Sequence, residues 1–194
     1  MVLRITQYGE PVLRQRGKTI TRFDASIAAF ARDLFETMVA GDGIGLAAPQ
    51  VGKSLHFFVV DLRSRTSEAE IARLDGKPIP PALLLPLVVA NSKMEYLPGE
   101  TASVEEGCLS FPGIRGNVAR PLTVRLSYQD AQGLQHVLEA TGLLARVLQH
   151  EYDHVEGVLF IDRMDPQRVE ELEPKLKQLK RETRAALKSA TPAK

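Results

Sequence analysis

The sequence predicts an α+β fold, in which mixed or antiparallel strands pack around one buried central helix and a C-terminal helix lies outside them. Three observations support this fold class. Alternating apolar residues mark strands, an apolar helical stripe marks a buried helix late in the chain, and a highly charged segment follows that helix. With 194 residues, 44% of them hydrophobic, the chain suffices for a single domain over residues 1–194.

The first predicted elements are a helix and a strand separated by a glycine-rich loop. Asp24 suits the N-cap of a helix that runs to about Ala40, because apolar residues recur at helical spacing between them. The loop reads G-D-G-I-G at positions 41–45, and a buried strand rich in Phe and Val is predicted at Leu55–Leu62. The loop lacks the G-x-x-x-x-G-K-[ST] pattern and follows no predicted strand, so a nucleotide-binding loop is excluded.

The middle of the chain predicts a surface segment followed by strands. Arg63–Pro81 is polar and then proline-containing, which is typical of a long loop or insertion with at most a short helix. Leu83–Asn91 predicts a strand, in which Pro86 implies an edge position or a bulge. Thr123–Gln129 and Leu134–Ala140 predict the two strands of a hairpin.

The central helix is predicted from Thr141 to about Val155, with Gly157 at its end. Apolar stripes flank it, so its histidines are expected to lie inside the protein. From Pro166 onward the chain is strongly charged and predicts a C-terminal helical extension over about residues 166–194. The later half of this segment is mostly basic among its charges: Lys175, Lys177, Lys180, Arg181, Arg184 and Lys188.

The central helix carries an H-E-x-x-H motif, His150 to His154, which predicts a metal site. Spacing of four residues places both imidazoles on one side of a helix, where both can bind one ion at about 2.0–2.1 Å. Glu151 then lies where it can act on water as a general base and acid. Two core histidines that bond to backbone carbonyls are the alternative reading.

A catalytic metal site of this type needs a third protein ligand. By residue type the candidates are Glu156, Glu170 and Glu171 downstream, or Cys108 upstream. Cys108 is the single cysteine, so an intramolecular disulfide is impossible, and in isolation it would be a small buried hydrophobe.

Charge and hydropathy limit the partners. The formal net charge is +1, which does not indicate binding of nucleic acid or membranes by the chain as a whole. No apolar run is long enough to span a bilayer, and the N-terminus lacks the pattern of a signal peptide. We therefore expect a cytoplasmic protein without a membrane partner.

Three motifs together resemble the signatures of the peptide deformylase family, in the family's order and approximate spacing. They are G-I-G-L-A-A-P-Q at 43–50, E-G-C-L-S at 106–110 and Q-H-E-Y-D-H at 149–154. The resemblance covers about Ile5 to Met164. Val155 stands where the family commonly has leucine, and Arg63–Pro81 is longer than in compact members. The resemblance implies a metal-dependent hydrolase that removes the N-formyl group from the N-terminal formylmethionine of newly made polypeptides and releases formate.

The resemblance also implies roles for the residues of the site. Three metal ligands are expected: Cys108, His150 and His154. Fe²⁺ is the metal expected in cells, although Zn²⁺, Ni²⁺ and Co²⁺ also suit these donors. Glu151 would transfer the proton, and the side-chain amide of Gln50 and the backbone N–H of Leu109 would stabilise the oxyanion. Without the resemblance, Gln50 would be taken for an ordinary loop residue.

The substrate implied is an N-formylmethionyl peptide. The backbone around Gly45 would pair with the extended peptide like a strand. The methionine pocket is expected to contain three apolar residues: Ile44, Leu143 and Val147. Arg115 resembles a family arginine near the peptide's path, and Arg120 resembles the one that pairs with the helix aspartate, here Asp153.

Two rival functions and one further partner are considered. A zinc endopeptidase with the same H-E-x-x-H motif would cleave within peptides and would not need Cys108. A non-catalytic metal-binding or ribosome-associated protein would not need Glu151 or Gln50. Finally, the family resemblance and the basic C-terminal segment together suggest contact with ribosomal RNA phosphates.

Overall fold

The computed structural model describes residues 1–63 and 71–190, and it confirms an α+β fold with a C-terminal helix. The helices in this part of the chain are α1 (Ala25–Ala40), α2 (Pro81–Leu84), α3 (Gly142–Val155) and α4 (Pro166–Ala190). Helix α3 packs against strands of both sheets described below and is therefore the central helix. No helix among the described residues is long and apolar enough to cross a membrane.

The strands form two antiparallel sheets. Their bounds are β1 Gly45–Ala47, β2 Phe57–Val60, β3 Ala72–Leu74, β4 Lys77–Ile79, β5 Leu87–Tyr96, β6 Thr101–Gly107, β7 Arg115–Pro121, β8 Thr123–Gln129 and β9 Gln135–Thr141. Seven strands form one sheet in the order β1-β2-β5-β8-β9-β3-β4, and β6 pairs with β7 in the other. Every neighbouring pair is antiparallel.

Helix α1 forms where the sequence predicts it. The Asp24 carboxylate accepts a hydrogen bond from the Ser26 N–H at 2.9 Å, which satisfies one of the free donors of the first turn. The helix ends at Gly41, as expected. Leu34 and Met38 are buried on its inner face. The glycine-rich loop that follows is thereby held against the main sheet, with Gly45 at the start of β1.

The segment Arg63–Pro81 is not a simple loop, so that prediction is wrong for its second half. Residues 64–70 lie outside the described part of the chain. Beyond them, β3 and β4 form a hairpin that joins the main sheet, with Ala72 opposite Ala140 of β9. The turn residues Asp75 and Gly76 have φ of 50° and 77°, as an Asp-Gly hairpin turn requires. Strands of three residues are too short to show an alternating pattern.

The strand predicted at Leu83–Asn91 begins and ends later than expected. A single helical turn, α2, covers its first residues, and β5 runs from Leu87 to Tyr96. Pro86 was expected to mark an edge or a bulge, but β5 lies inside the sheet between β2 and β8. Because Pro86 precedes the strand, its missing N–H removes no hydrogen bond from the sheet. A separate irregularity lies between Ala90 and Lys93.

Helix α3 begins and ends as predicted, but its N-cap differs. The Thr141 side chain makes no capping hydrogen bond; its hydroxyl oxygen accepts the Ile71 N–H at 2.9 Å instead. The hydroxyl thus links the start of α3 to Ile71, the residue before β3. Leu144 and Leu148 are fully buried in the main core, which surrounds α3 with strand residues.

A histidine at the surface of the sheet predicts a pH-dependent contribution to stability. His136 Nδ1 lies 2.9 Å from Asp75 and Nε2 lies 3.2 Å from Asp130, so only the imidazolium can donate to both carboxylates. The two acidic partners outweigh burial and raise the pKa of His136 above its usual 6.5. A raised pKa contributes stability that is complete below the unfolded value and lost as pH rises through the folded value.

We therefore expect the free energy of unfolding to fall more steeply between pH 6 and pH 9 in the natural chain than in His136→Gln. The difference should be less than about 1 kcal/mol, because the site is partly solvated. Urea unfolding at several pH values measures it. Parallel pH profiles for the two proteins would contradict the prediction.

Candidate metal centre and cleft

Two segments bring the expected metal ligands together. His150 and His154 lie one turn apart on α3, and Cys108 follows the last residue of β6. Their ligand atoms all lie within 4.8 Å of one another, and Cys108 Sγ is 3.2 Å from His154 Nε2. Within the described residues, this is the one group of His, Cys, Asp and Glu side chains arranged to hold a metal ion.

The acidic alternatives to Cys108 lie elsewhere. Glu156 follows α3 and pairs with His56 at 3.1 Å and with Arg16 at 3.0 Å. Glu170 and Glu171 are exposed on α4. The ligand set therefore has one sulfur and two imidazole nitrogens, a donor set suited to Zn²⁺ or to ferrous, cobalt and nickel ions.

Glu106 orients the first histidine. Its carboxylate lies 2.9 Å from His150 Nδ1, so Nδ1 carries the proton and Nε2 is available to a metal. Burial favours the neutral acid, but hydrogen bonds from His150 and Arg120 outweigh burial, and the pKa of Glu106 lies well below its usual value. Glu106 is therefore an anion with 7% of its surface exposed.

A chain of ion pairs continues from Glu106, buried at Arg120 and Asp153 and exposed at Arg163. Arg120 donates to Glu106 at 2.7 and 3.0 Å and to Asp153 at 2.8 Å. Arg163 donates to the other oxygen of Asp153 at 2.7 Å. The structure thus contains the Arg120–Asp153 pair implied by the family resemblance. Because Asp153 precedes His154, the pair also anchors the helix turn that carries the second histidine.

The charges around the two histidines favour a cation. Burial lowers the pKa of His154 well below its usual value, so this imidazole is neutral, as a metal ligand must be. Burial also opposes a charge on His150, but Cys108 and Glu106 outweigh it and raise the pKa of His150 to about 10. A divalent ion would take the place of the proton on His150 Nε2 and would deprotonate the Cys108 thiol. The Glu106 anion would help to balance the charge of the ion, so the residues fit a metal.

Glu151 follows His150 on α3 and lines the same cleft as Cys108 and His150, but it does not belong to the ligand group. It is 3% exposed, and its Oε2 has no hydrogen-bond partner among the described residues. Burial raises the pKa of Glu151 to about 7, against the opposing effect of the His150 charge. A carboxyl group with this pKa can both take and return a proton near neutral pH.

Gly45 leaves the space that Glu151 occupies. A Cβ atom on Gly45 would lie 2.5 Å from Glu151 Oε1 and 2.8 Å from its Cδ. We therefore expect Gly45→Ala to displace Glu151 and to lower kcat/KM about 10²-fold, the effect of misplacing a catalytic group by about 1 Å. Gly43→Ala is the comparison in the same loop, because its Cβ would lie 3.1 Å from a Leu109 methyl and 3.2 Å from the Met38 carbonyl oxygen and would not contact Glu151. Equal losses in the two variants would contradict this reading.

Gln50 is fixed close to the sulfur ligand. It lies in a 3₁₀ turn, Ala48–Val51, and is 2% exposed. Its Oε1 accepts the Ala47 N–H at 2.8 Å, and its Nε2 donates to Cys108 Sγ at 3.3 Å. The first bond fixes the orientation of the amide, so the NH₂ group faces the metal ligands. Leu109 follows Cys108 in the chain, and both residues line one cleft together with Gln50.

An open cleft of about 610 Å³ contains the remaining predicted residues. The apolar residues expected at the methionine pocket all line it: Ile44, Leu143 and Val147. Gly45 lines it as well, on β1, the edge strand of the large sheet. Arg115 lies at the rim, where it pairs with exposed Glu105 at 2.8 Å. Among the predicted site residues, His154 is the one that does not line the cleft, and it is 1% exposed.

Sequence reasoning missed two residues of the centre. Glu106 lies in the E-G-C-L-S motif but has no predicted role there, and the sequence predicts no role for Arg146. Arg146 donates to Glu106 at 2.7 Å and to the carbonyls of Val118 and Ala102. A signal for Glu106 was available, because a metal-binding histidine requires an acceptor for its other nitrogen and an acidic residue lay in the cysteine motif.

Comparisons with known proteins agree on one family. The family model described as polypeptide deformylase matches residues 2–170. A peptide deformylase of Opitutus terrae is 45% identical and covers 97% of this chain and 98% of its own. Among solved structures, that of Arabidopsis thaliana peptide deformylase 1B with an inhibitor has a TM-score of 0.80 at 35% identity, covering 98% and 96% of the two chains. That from Synechococcus elongatus with actinonin has a TM-score of 0.75 at 40% identity, covering 89% and 87%. The chain therefore belongs to the peptide deformylase family, metal-dependent hydrolases that remove the N-formyl group from polypeptides.

Proposed function

We propose that Cys108, His150 and His154 hold one divalent ion, Fe²⁺ in the cell, and that deformylation takes place beside it. The proposal is carried by one observation, the convergence of these ligand atoms within 4.8 Å next to a buried carboxyl group in an open cleft. When bound, the metal activates water and polarises the formyl carbonyl. Zn²⁺, Ni²⁺ and Co²⁺ suit the same donors.

The residues around the metal transfer the proton and stabilise charge. Glu151 takes a proton from the attacking water and delivers it to the leaving amine nitrogen as the C–N bond breaks. Formate and a free N-terminal amine result. The Gln50 amide and the Leu109 N–H donate to the oxygen that becomes negative in the transition state. The fixed orientation of Gln50, with its Oε1 engaged by Ala47, supports this role.

The substrate is an N-formylmethionyl peptide. We place its backbone along β1 at Gly45, where the edge strand has a hydrogen-bonding side that no strand of the described sheet occupies. Its methionine side chain would enter the pocket of Ile44, Leu143 and Val147. Arg115, exposed at the rim, would lie along the peptide's path.

Formate release tests this function. Metal-loaded protein should release formate from formyl-Met-Ala-Ser and should leave acetyl-Met-Ala-Ser intact, because the acetyl methyl group adds bulk at the reacting carbon. Internal cleavage of longer peptides, with activity retained in Cys108→Ala, would favour the zinc endopeptidase instead. A protein that binds metal but releases no formate would support the non-catalytic alternative.

Contact with the ribosome is a separate proposal. On α4, Leu172 and Leu176 are buried, while basic side chains such as Lys175, Arg181 and Arg184 are exposed. We expect association with ribosomes to weaken as salt rises and to be lost when these three charges are reversed. Salt-insensitive association would contradict it.

A cytoplasmic location and a single domain over residues 1–194 stay predictions.

A further inference from the structure

The metal ligands lie on two separate segments, which must be held together by contacts within the protein. Cys108 belongs to the turn between β6 and β7, whereas His150 and His154 belong to α3. Glu106 provides a polar link, since it lies two residues before Cys108 and contacts the His150 ring. A second link is apolar, and the mechanism above does not use it.

Phe160 contacts both segments. It begins a 3₁₀ turn, Phe160–Arg163, shortly after α3, and its side chain is 1% exposed. Its ring packs edge-to-face against Phe111, with centroids 5.1 Å apart and an angle of 87° between the rings. The same ring lies 6.1 Å from the His150 imidazole at 33°. Phe160 therefore bridges the cysteine turn and the histidine helix.

Phe111 transmits this contact to the sulfur ligand. Its backbone N–H donates to the Cys108 carbonyl at 2.9 Å, which closes the turn that carries the thiol. Tyr8 stacks on the Phe111 ring at 4.8 Å, and the Tyr8 N–H donates to the Ser110 carbonyl at 2.9 Å. The turn is thus fixed through both its backbone and its ring, and Cys108 packs against the same apolar cluster.

We propose that Phe160 is a positioning residue, which together with Phe111 holds the Cys108 turn against His150 before the metal binds. Edge-to-face ring pairs prefer a defined geometry, so they fix orientation as well as distance. Ligands that are already arranged lose less conformational freedom on binding, which increases metal affinity. The inference rests on the proposed metal site at Cys108, His150 and His154.

Phe160→Leu tests the role. Chelator competition should show Zn²⁺ binding about tenfold weaker, as for other residues that support metal ligands. In the Co²⁺-loaded protein, the near-ultraviolet thiolate-to-cobalt absorption band should weaken or shift. With metal saturating, kcat should fall while KM for a formyl peptide changes less than about twofold, because Phe160 does not line the cleft.

Phe57→Leu is the matched control. Phe57 is also fully buried and pairs with a second ring, Phe30 at 5.6 Å, but its apolar cluster contains none of the three ligands. The control should lose thermal stability to a similar extent and keep the metal affinity and the cobalt spectrum of the natural chain. Phe111→Leu should reproduce the effects of Phe160→Leu on metal affinity and on the cobalt spectrum, which keeps the test available if Phe160→Leu does not fold. Because Phe111 lines the cleft, its KM is not part of the test.

Two results would overturn the proposal. Metal affinity and cobalt spectrum could be unchanged in Phe111→Leu and Phe160→Leu, or Phe57→Leu could weaken metal binding as much as they do. Failure of the metal site itself gives a different result, because the natural chain would then show no thiolate-to-cobalt band at all.

Discussion

Glu151→Gln is expected to lower kcat for formate release on the order of 10²–10⁴-fold without loss of stability. Glutamine keeps the shape of the side chain but cannot accept a proton from water and return it. Burial has already raised the pKa of Glu151 to about 7, so the ionised form is held at a cost to the fold. Its Oε2 has no hydrogen-bond partner among the described residues, so removing the charge breaks no described hydrogen bond at that oxygen.

Activity and stability should therefore move independently in this variant. The melting temperature should equal or exceed that of the natural chain, an expected result where a catalytic group is held in an unfavourable setting. Metal content should be unchanged, because Glu151 is not a ligand. Glu170→Gln, an exposed position on α4, is the control for the chemical change itself and should leave both quantities unchanged. A Glu151→Gln protein that kept most of its formate release would contradict the role of Glu151 as proton carrier.

The histidine helix could be predicted from the sequence because its information is local. Spacing of four residues on a helix fixes the relative position of His150 and His154 whatever surrounds them. The apolar stripes then require burial of that helix. Local sequence patterns could not predict that Cys108 lies beside this helix. Cys108 lies in a turn between two strands, and a turn has no periodicity that indicates contact with a distant helix. Recognition of three motifs in one family's order supplied that link.

The errors arose where distant partners determine structure. Residues 72–79 form strands because β9 offers an edge with which β3 can pair, and nothing within the hairpin except the Asp75–Gly76 turn indicates this. Similarly, Glu106 is adjacent to an unremarkable Glu105 in sequence. Their opposite environments follow from the alternation of side chains along β6, so that Glu106 faces Arg120 and α3 while Glu105 faces solvent.

That pair of neighbours allows a direct test of how burial sets the strength of an ion pair. Glu106 lies 2.7 Å from Arg120, and Glu105 lies 2.8 Å from Arg115. The side chains of the first pair are 6% and 3% exposed, and those of the second are 59% and 62% exposed. The distances are nearly equal, so replacing each glutamate by alanine compares two arginines that differ chiefly in their access to solvent.

Glu106→Ala is expected to lower the free energy of unfolding by about 3–5 kcal/mol, because it breaks a buried ion pair and leaves Arg120 to share the Asp153 carboxylate with Arg163. Arg146 loses the same carboxylate, which adds to the loss. Glu105→Ala should cost less than about 1 kcal/mol, because water can solvate the exposed side chain of Arg115. Urea unfolding in the presence of a chelator measures both values without a contribution from metal binding.

Glu106→Ala should also weaken metal binding by about 10–100-fold, because the His150 ring loses the acceptor that fixes its proton on Nδ1. Glu106→Gln separates the two effects. Its amide oxygen can still accept from Nδ1, so metal affinity should recover in part. The loss of one of the two carboxylates that pair with Arg120 should keep the protein destabilised. If Glu106→Ala and Glu105→Ala lost similar stability, burial would not increase the cost of removing a partner from the Glu106–Arg120 ion pair. If Glu106→Ala kept the metal affinity of the natural chain, the orientation of His150 would have to come from packing, with Phe160 as the ring that contacts it.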